Sequence, residues 1–280
     1  MFKKLTNSIY YMTHKNDTDR PILGLVCGEK YSLIVDSGNS PNHAKEFLAE
    51  VSKLNVPPVK YVVLTHYHWD HIFGIKEMNL ITIAHEKTKR EIDRMRSLNW
   101  DDTSLEEHVK EKIISENCSK FIKLEIEERE NFKVGEVDIT FNDSLEIDLG
   151  GLTCILNSVG GTHTDDSTIV YIPEEKVMFL GDCMYGRRYN GLYGYDREEL
   201  LKMIDKIEKY YAEYYVISHE PVCDRKEISD FWELLRTTAQ IACEVTSAKH
   251  AIRLFMNKFN REPSENEKSY IEGFINANKA

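Results

Sequence analysis

The stretch YVVLTHYHWDH, residues 61–71, constrains this chain more than any other part of it. An apolar, β-branched run stops at Thr65, and three histidines and an aspartate fill four of the next six positions. The whole chain has ten histidines, so such crowding has a cause. In an extended segment His66 and His68 share one face, because side chains alternate with period two. If the chain then turns into a helix, Asp70 and His71 point elsewhere, and the two pairs can serve two neighbouring ions. Zinc takes nitrogen or oxygen donors at about 2.0–2.2 Å, so its ligands must converge. Four ligands do not complete two shells, and the remainder has to come from distant sequence.

Short apolar runs bounded by Gly, Asn or Asp recur through the first 220 residues: PILGLV, YSLIV, VKYVVLT, LITIA, VDITF, TCILNSV, STIVYI, KVMFL and YYVIS. They read as strands. PNHAKEFLAEVSKL lies between two of them with Ala44, Phe47, Leu48, Val51 and Leu54 at helical spacing behind a Ser-Pro start. The class is therefore mixed α and β. Residues 86–130 form a charged, mostly helical block, read as an insertion or lid within a domain covering 1–224. Residues 225–280 read as a helical extension packed on that domain, its last helix beginning at a Pro-Ser capping signal.

With a net charge of -11 and a pI near 5.5, the chain carries no general field that would attract phosphate backbones or anionic lipid. No nucleic-acid or membrane partner is expected, and homo-oligomerisation is left open. The first twenty residues lack the apolar core of an export signal, and six cysteines are scattered without a C-x-x-C pair. Both features point to a cytoplasmic protein with reduced thiols.

Loops at strand ends are where a rigid scaffold delivers ligands. His163 follows CILNSVGGT, Asp182 follows KVMFLG and His219 follows YYVIS. One ion on His66, His68 and His163, a second on Asp70, His71 and His219, and Asp182 bridging would make a dinuclear site. The strand-end criterion alone does not choose, since His85 after LITIA and Asp36 after YSLIV meet it equally.

Five motifs in order do choose: Asp36 in IVDSG, the H-x-H-x-D-H run at 66–71, His163 in GGTHTDDS, Asp182 in FLGDC and His219 in ISHEP. Across roughly residues 8–224 the chain resembles the metallo-β-lactamase fold superfamily of metal-dependent hydrolases, in its glyoxalase II or lactonase-like branch. The resemblance implies an α/β (α+β) four-layer αββα sandwich with a helical insertion and extra C-terminal helices. It implies two divalent ions, zinc first, with manganese or iron as alternatives, held by the seven residues His66, His68, Asp70, His71, His163, Asp182 and His219. Asp36 would then fix a loop behind the ligands, and His85 would not be one.

The reaction so implied is hydrolysis of a small ester-like molecule, a thioester or lactone, by a hydroxide that the ions share. Asp70 would orient that hydroxide. Acyl-homoserine lactonases of this fold carry a tyrosine at a spacing similar to that of Tyr185, which implies a phenol donating to the substrate oxygen; the alternative is a packing aromatic. Arg187 and Arg188 offer a second substrate contact, against an ordinary surface loop. Cys183 beside Asp182 is more simply a buried small hydrophobe, and Trp69 resembles the glyoxalase II pattern as much as it suits sheet packing. Other readings are a phosphodiesterase on a small phosphodiester, an iron-dependent persulfide dioxygenase-like oxidoreductase, and β-lactam hydrolysis as a side activity. The dedicated β-lactamases place Cys or Ser where Asp182 stands, and a non-catalytic scaffold would tend to lose ligands.

Overall fold

The structure, a computed structural model, describes residues 1–243, 245 and 247–278. A seven-stranded sheet runs in chain order through β1 (Phe2–Lys4), β2 (Ile9–Met12), β3 (Leu23–Cys27), β4 (Ser32–Val35), β5 (Val59–Val63), β6 (Ile81–His85) and β7 (Ile139–Phe141). The first four strands are antiparallel, and β4 to β7 are parallel. Parallel neighbours need crossovers. These are α1 (Pro41–Val51), then α2 (Trp69–Ile72) with α3 (Ile75–Met78), then α4 (Glu86–Arg96), α5 (Asp102–Lys110) and α6 (Glu116–Glu125).

The second sheet contains β8 (Ser144–Asp148), β9 (Thr153–Ser158), β10 (Thr168–Ile172), β11 (Val177–Gly181), β14 (Tyr214–Ile217) and β15 (Cys223–Asp224) in the order β15-β14-β11-β10-β9-β8. Between β11 and β14 lie a small hairpin, β12 (Arg187–Tyr189) with β13 (Leu192–Gly194), and α7 (Arg197–Ile207). The chain continues through α8 (Arg225–Ala242), α9 (Ala248–Phe259) and α10 (Glu265–Asn278).

Side-chain alternation builds four layers from this order. Leu33, Val35, Val63 and Ile83 point from the first sheet into a central core, where they meet Leu156, Val170, Phe179 and Val216 of the second. Their neighbours Ile34, Val62, Leu64 and Ala84 point outward into a core covered by α1 and the 86–130 helices, through Phe47, Ile92, Leu105 and Ile122. On the far side Ile169, Met178, Leu180 and Tyr215 pack under Leu200, Trp232, Phe255 and Phe274. Both sheets are thus apolar on two faces, which is why their strands read as near-continuous apolar runs. The sheets approach closely enough that a Cβ at Gly24 would collide with the Phe179 ring.

The 86–130 block is three helices whose apolar residues belong to an outer core, so it is a packed layer. Arg20 ties it to the first sheet. Its guanidinium donates to both oxygens of Glu125 at 2.8 and 2.9 Å and to Glu46 at 2.7 Å, while Ser40 Oγ donates to Glu125 at 3.0 Å.

Candidate metal centre

Strand β5 ends at Val63, and the chain bends at Thr65 and reaches an extended His68 before the short helix α2 begins at Trp69. His66 and His68 fall on one side, while Asp70 and His71 ride the first helical turn. His163 lies beyond β9, Asp182 directly after β11, and His219 just past β14. All seven donors meet in two groups. His66, His68 and His163 form one; Asp70, His71, Asp182 and His219 form the other; within each group the donor atoms lie within 4.8 Å of one another. Each group draws on both sheets.

In the first group His66 Nε2 is 3.1 Å and His163 Nε2 is 2.8 Å from His68 Nδ1. The opposite nitrogen of His163 lies 3.1 Å from the Gly186 carbonyl, to which it donates, so its Nε2 is left as a bare acceptor. Three imidazole nitrogens face one point, and one proton cannot serve them all. Burial, with the neighbouring His163, lowers the pKa of His68 to about 3, and burial likewise holds His66 well below its usual range. Neutral imidazoles are what a divalent metal requires.

The second group is fixed from behind. Asp36, at the left-handed φ of +61° where β4 ends, accepts from Thr65 N–H at 2.7 Å, from Thr65 Oγ1 at 2.9 Å and from His71 Nδ1 at 2.8 Å. With Nδ1 committed to Asp36, His71 turns Nε2 toward Asp70 Oδ2 at 3.1 Å and Asp182 Oδ1 at 3.5 Å. Buried His71 Nε2 and Asp182 Oδ1 have no hydrogen-bond partner, and a cation between them satisfies both. Burial disfavours the charged imidazole, yet Asp70, Asp36 and Asp182 together raise the His71 pKa well above normal. The same outcome, for the same reason, takes His219 to about 10, with Asp182 the leading carboxylate. This half of the site is strongly cation-attracting.

Asp182 stands between the groups. Its Oδ2 is 3.6 Å from His163 Nε2, 3.9 Å from His66 Nε2 and 3.6 Å from His219 Nε2. Gly181 before it has a φ of +56°, and a Cβ there would lie 2.7 Å from the Thr65 side chain. The bulge between β11 and β14 at this glycine is what aims Asp182 into the cleft.

The cleft measures about 450 Å³. Tyr185 lines it, its ring 6.1 Å from that of His163 and 6.2 Å from that of His219, with its hydroxyl buried and unpartnered. Burial, with Asp182 nearby, raises its pKa, so the phenol keeps its proton. Trp69 also lines the cleft and packs edge-on against Phe73. Arg187 and Arg188 do not line it: Arg187 sits over the Tyr189 ring and near Glu199, and Arg188 donates to the Gly191 carbonyl. Both side chains are exposed, and their contacts are with the β12–β13 hairpin and the start of α7. Cys183 is buried in the outer core, where desolvation raises its thiol pKa, and His85 caps α4 through Lys87 N–H; neither joins a donor group.

Sequence reasoning missed Asn16, Asp19, Cys118 and Glu220, all of which line the cleft. Cys118 is the contribution of the 86–130 block. Asp19, at a φ of +57°, places Oδ1 3.9 Å from His219 Nδ1, and burial followed by repulsion from Asp70 raises its pKa to about 6. The only available signal was the polar loop HKNDTDR itself.

Residues 23–219 match the family model of the metallo-beta-lactamase superfamily. The chain belongs to that superfamily. Among curated proteins it is 24% identical over 233 residues to a linear primary-alkylsulfatase of Pseudomonas sp., covering 74% of this chain and 42% of that protein. It is 25% identical over 196 residues to a beta-lactamase-like protein 2 homolog of Caenorhabditis elegans, covering 69% and 53% respectively. The chain thus spans about half the length of the curated relatives it matches. In fold it is similar to a metallo-beta-lactamase from Pontibacter korlensis, with a TM-score of 0.58 and 21% identity over 84% of this chain and 98% of that one. A double mutant of the sec-alkyl sulfatase PisA1 gives a TM-score of 0.67 at 12% identity, over 99% of this chain and 48% of that one. Among the described residues no helix is long and apolar enough to cross a membrane.

Proposed function

We propose that the protein is a dinuclear metal-dependent hydrolase of a small, uncharged ester-like molecule such as a thioester or lactone. One divalent ion would be held by His66, His68 and His163 and the other by Asp70, His71 and His219, with Asp182 shared. The observation that carries this reading is the convergence of bare imidazole nitrogens and an unpartnered carboxylate oxygen on the same buried cleft. Two such ions would supply Lewis acidity and make water a nucleophile near neutral pH. Zinc suits the imidazole-rich donor set best, with manganese or iron as alternatives.

The remaining tasks fall to the chain. Asp70 is held far below the usual carboxylate range by His71 and His219 in spite of burial, so it stays ionised and accepts a hydrogen bond from the attacking water. The Tyr185 phenol remains protonated and donates to the oxygen that gains charge on the substrate. No Lys or Arg lines the cleft among the described residues, and Asp19 and Glu220 add carboxylates to it. A phosphodiester or other substrate with its own negative charge would find no guanidinium or ammonium to pair with. A sulfate ester, whose negative charge only the metal ions would offset, is the second reading, favoured by the similarity to a linear primary-alkylsulfatase. Six free thiols support a reducing, cytoplasmic setting.

Elemental analysis of the purified protein, coupled to a panel of thioester, lactone, phosphodiester, alkyl sulfate and β-lactam substrates, tests the proposal. Two equivalents of zinc and turnover of the uncharged esters are expected. Absence of turnover with zinc, manganese or iron loaded would overturn it.

A further inference from the structure

A second cavity of about 400 Å³ adjoins the donor-lined cleft, and Tyr185 and Glu220 belong to the walls of both. Apart from Glu227, its other walls are apolar or aromatic. Ile217 comes from the end of β14, Val222 from the loop that follows His219, Ile228 and Phe231 from the first turns of α8, and Tyr270 from α10. The volume falls within the roughly 300–1,000 Å³ typical of small-molecule sites. Tyr185, Phe231 and Tyr270 are only half-buried, so aromatic surface stays uncovered in a concave setting. Glu227 lines the cavity but its carboxylate is committed to the capping box of α8, accepting from Asp224 N–H at 2.8 Å. As in the cleft, no Lys or Arg lines it among the described residues.

We propose that this cavity binds the apolar acyl group of the substrate whose ester bond lies in the adjacent cleft, making medium-chain or aryl acyl esters the substrate class. The inference rests on the hydrolase reading above and deepens it. Continuity decides the occupant. Tyr185 stands at the junction with its hydroxyl buried and unpartnered, and a donor to the acyl oxygen at that point leaves the rest of the acyl group to continue past the ring. Glu220 at the same junction repels an acyl group ending in carboxylate, and nothing in the lining compensates it. The C-terminal helices then have a role beyond covering the second sheet: α8 and α10 supply the wall that sets acyl size.

The test uses neutral N-acetylcysteamine thioesters from acetyl to octanoyl, together with binding of the uncharged fluorescent probe N-phenylnaphthylamine. Expected for the natural sequence are a rise in kcat/KM of about fourfold per methylene until the cavity is full, and probe binding that octanol displaces. Val222→Trp narrows the cavity and should lower the octanoyl-to-acetyl ratio at least tenfold and weaken the probe to match. Phe231→Ala widens it and should move the preferred chain upward, so the proposal survives a failure of either variant to fold. Equal rates for all chain lengths, with probe binding indifferent to both variants, would overturn the cavity assignment and leave the hydrolase reading standing. Probe binding sensitive to the variants with no thioester turned over would instead sink the hydrolase reading and retain the apolar subsite.

Discussion

Asp36 Oδ2 accepts a hydrogen bond from His71 Nδ1 at 2.8 Å while its other oxygen accepts from the Thr65 amide at 2.7 Å. One carboxylate therefore sets both the tautomer of His71 and the point at which the chain leaves β5. It does so from a backbone conformation that few non-glycine residues adopt, a sign that the surrounding structure holds it there. Replacing Asp36 with Ala frees the His71 ring to rotate. Metal affinity should fall about 10–100-fold, as is usual when the partner of a ligating histidine is lost. Titration against a chelator of known affinity measures it, and unchanged affinity would remove Asp36 from the site.

Asp182 makes its approaches to both donor groups. Asp182→Ala should reduce the bound metal from two equivalents to one or none, read by elemental analysis after gel filtration. Two retained ions would contradict the shared position.

Tyr185→Phe removes one hydroxyl and keeps the ring. Loss of a donor to a developing oxyanion lowers kcat by roughly 100-fold, with KM and metal content little changed. A KM effect alone would make Tyr185 a packing residue.

Gly181→Ala forces a Cβ against Thr65 at a φ of +56°. The left-handed conformation costs about 1–2 kcal/mol for a residue with a side chain, and relief of the contact displaces Asp182. A lowered Tm together with reduced metal content is expected; a lowered Tm alone would show that the bulge does not aim the carboxylate.

The Arg20–Glu125 pair gives a pH dependence of stability away from the metal donors. Burial pushes the Glu125 pKa up, but Arg20, with Thr18 and Ser40 assisting, holds it below its ordinary value. A carboxylate depressed in the folded state contributes stability that is complete above its unfolded pKa of about 4.3. That contribution is lost as pH falls through the folded value. Glu125→Gln should therefore lower Tm at pH 7 and differ less from the natural sequence below about pH 4. Glu46 still partners Arg20, so the loss at neutral pH should be smaller than the roughly 3–5 kcal/mol of a broken buried pair. Tm curves that stay parallel down to pH 3 would contradict the role of this ion pair.

Nine of the strands were legible because apolar, β-branched runs bounded by turn residues announce themselves, most of them buried on both faces. Strand β8, SLEID, did not: it is the edge of its sheet and only Leu145 and Ile147 turn inward. The seven candidate donors were legible because each follows such a strand and falls, in order, within the motifs that set them apart from His85 and Asp36. Asp19 and Glu220 were not, since exposed acids are abundant in a chain of this charge and only the third dimension brings these two to the cleft. For Arg187 and Arg188, closeness in sequence to Asp182 left substrate contact and an ordinary surface loop equally open. The β12–β13 hairpin carries them away and gives their charges other partners.

Because each donor group takes residues from both sheets, the sandwich cannot open without separating its ligands. Occupancy and folding are then one linked equilibrium, in which free metal in excess of its dissociation constant adds RT ln(1 + [M]/Kd) to the unfolding free energy. At a hundredfold excess that amounts to about 2.7 kcal/mol for each independent site. Metal supply would thereby control how much of this protein persists in the folded state, as well as how much of it is active.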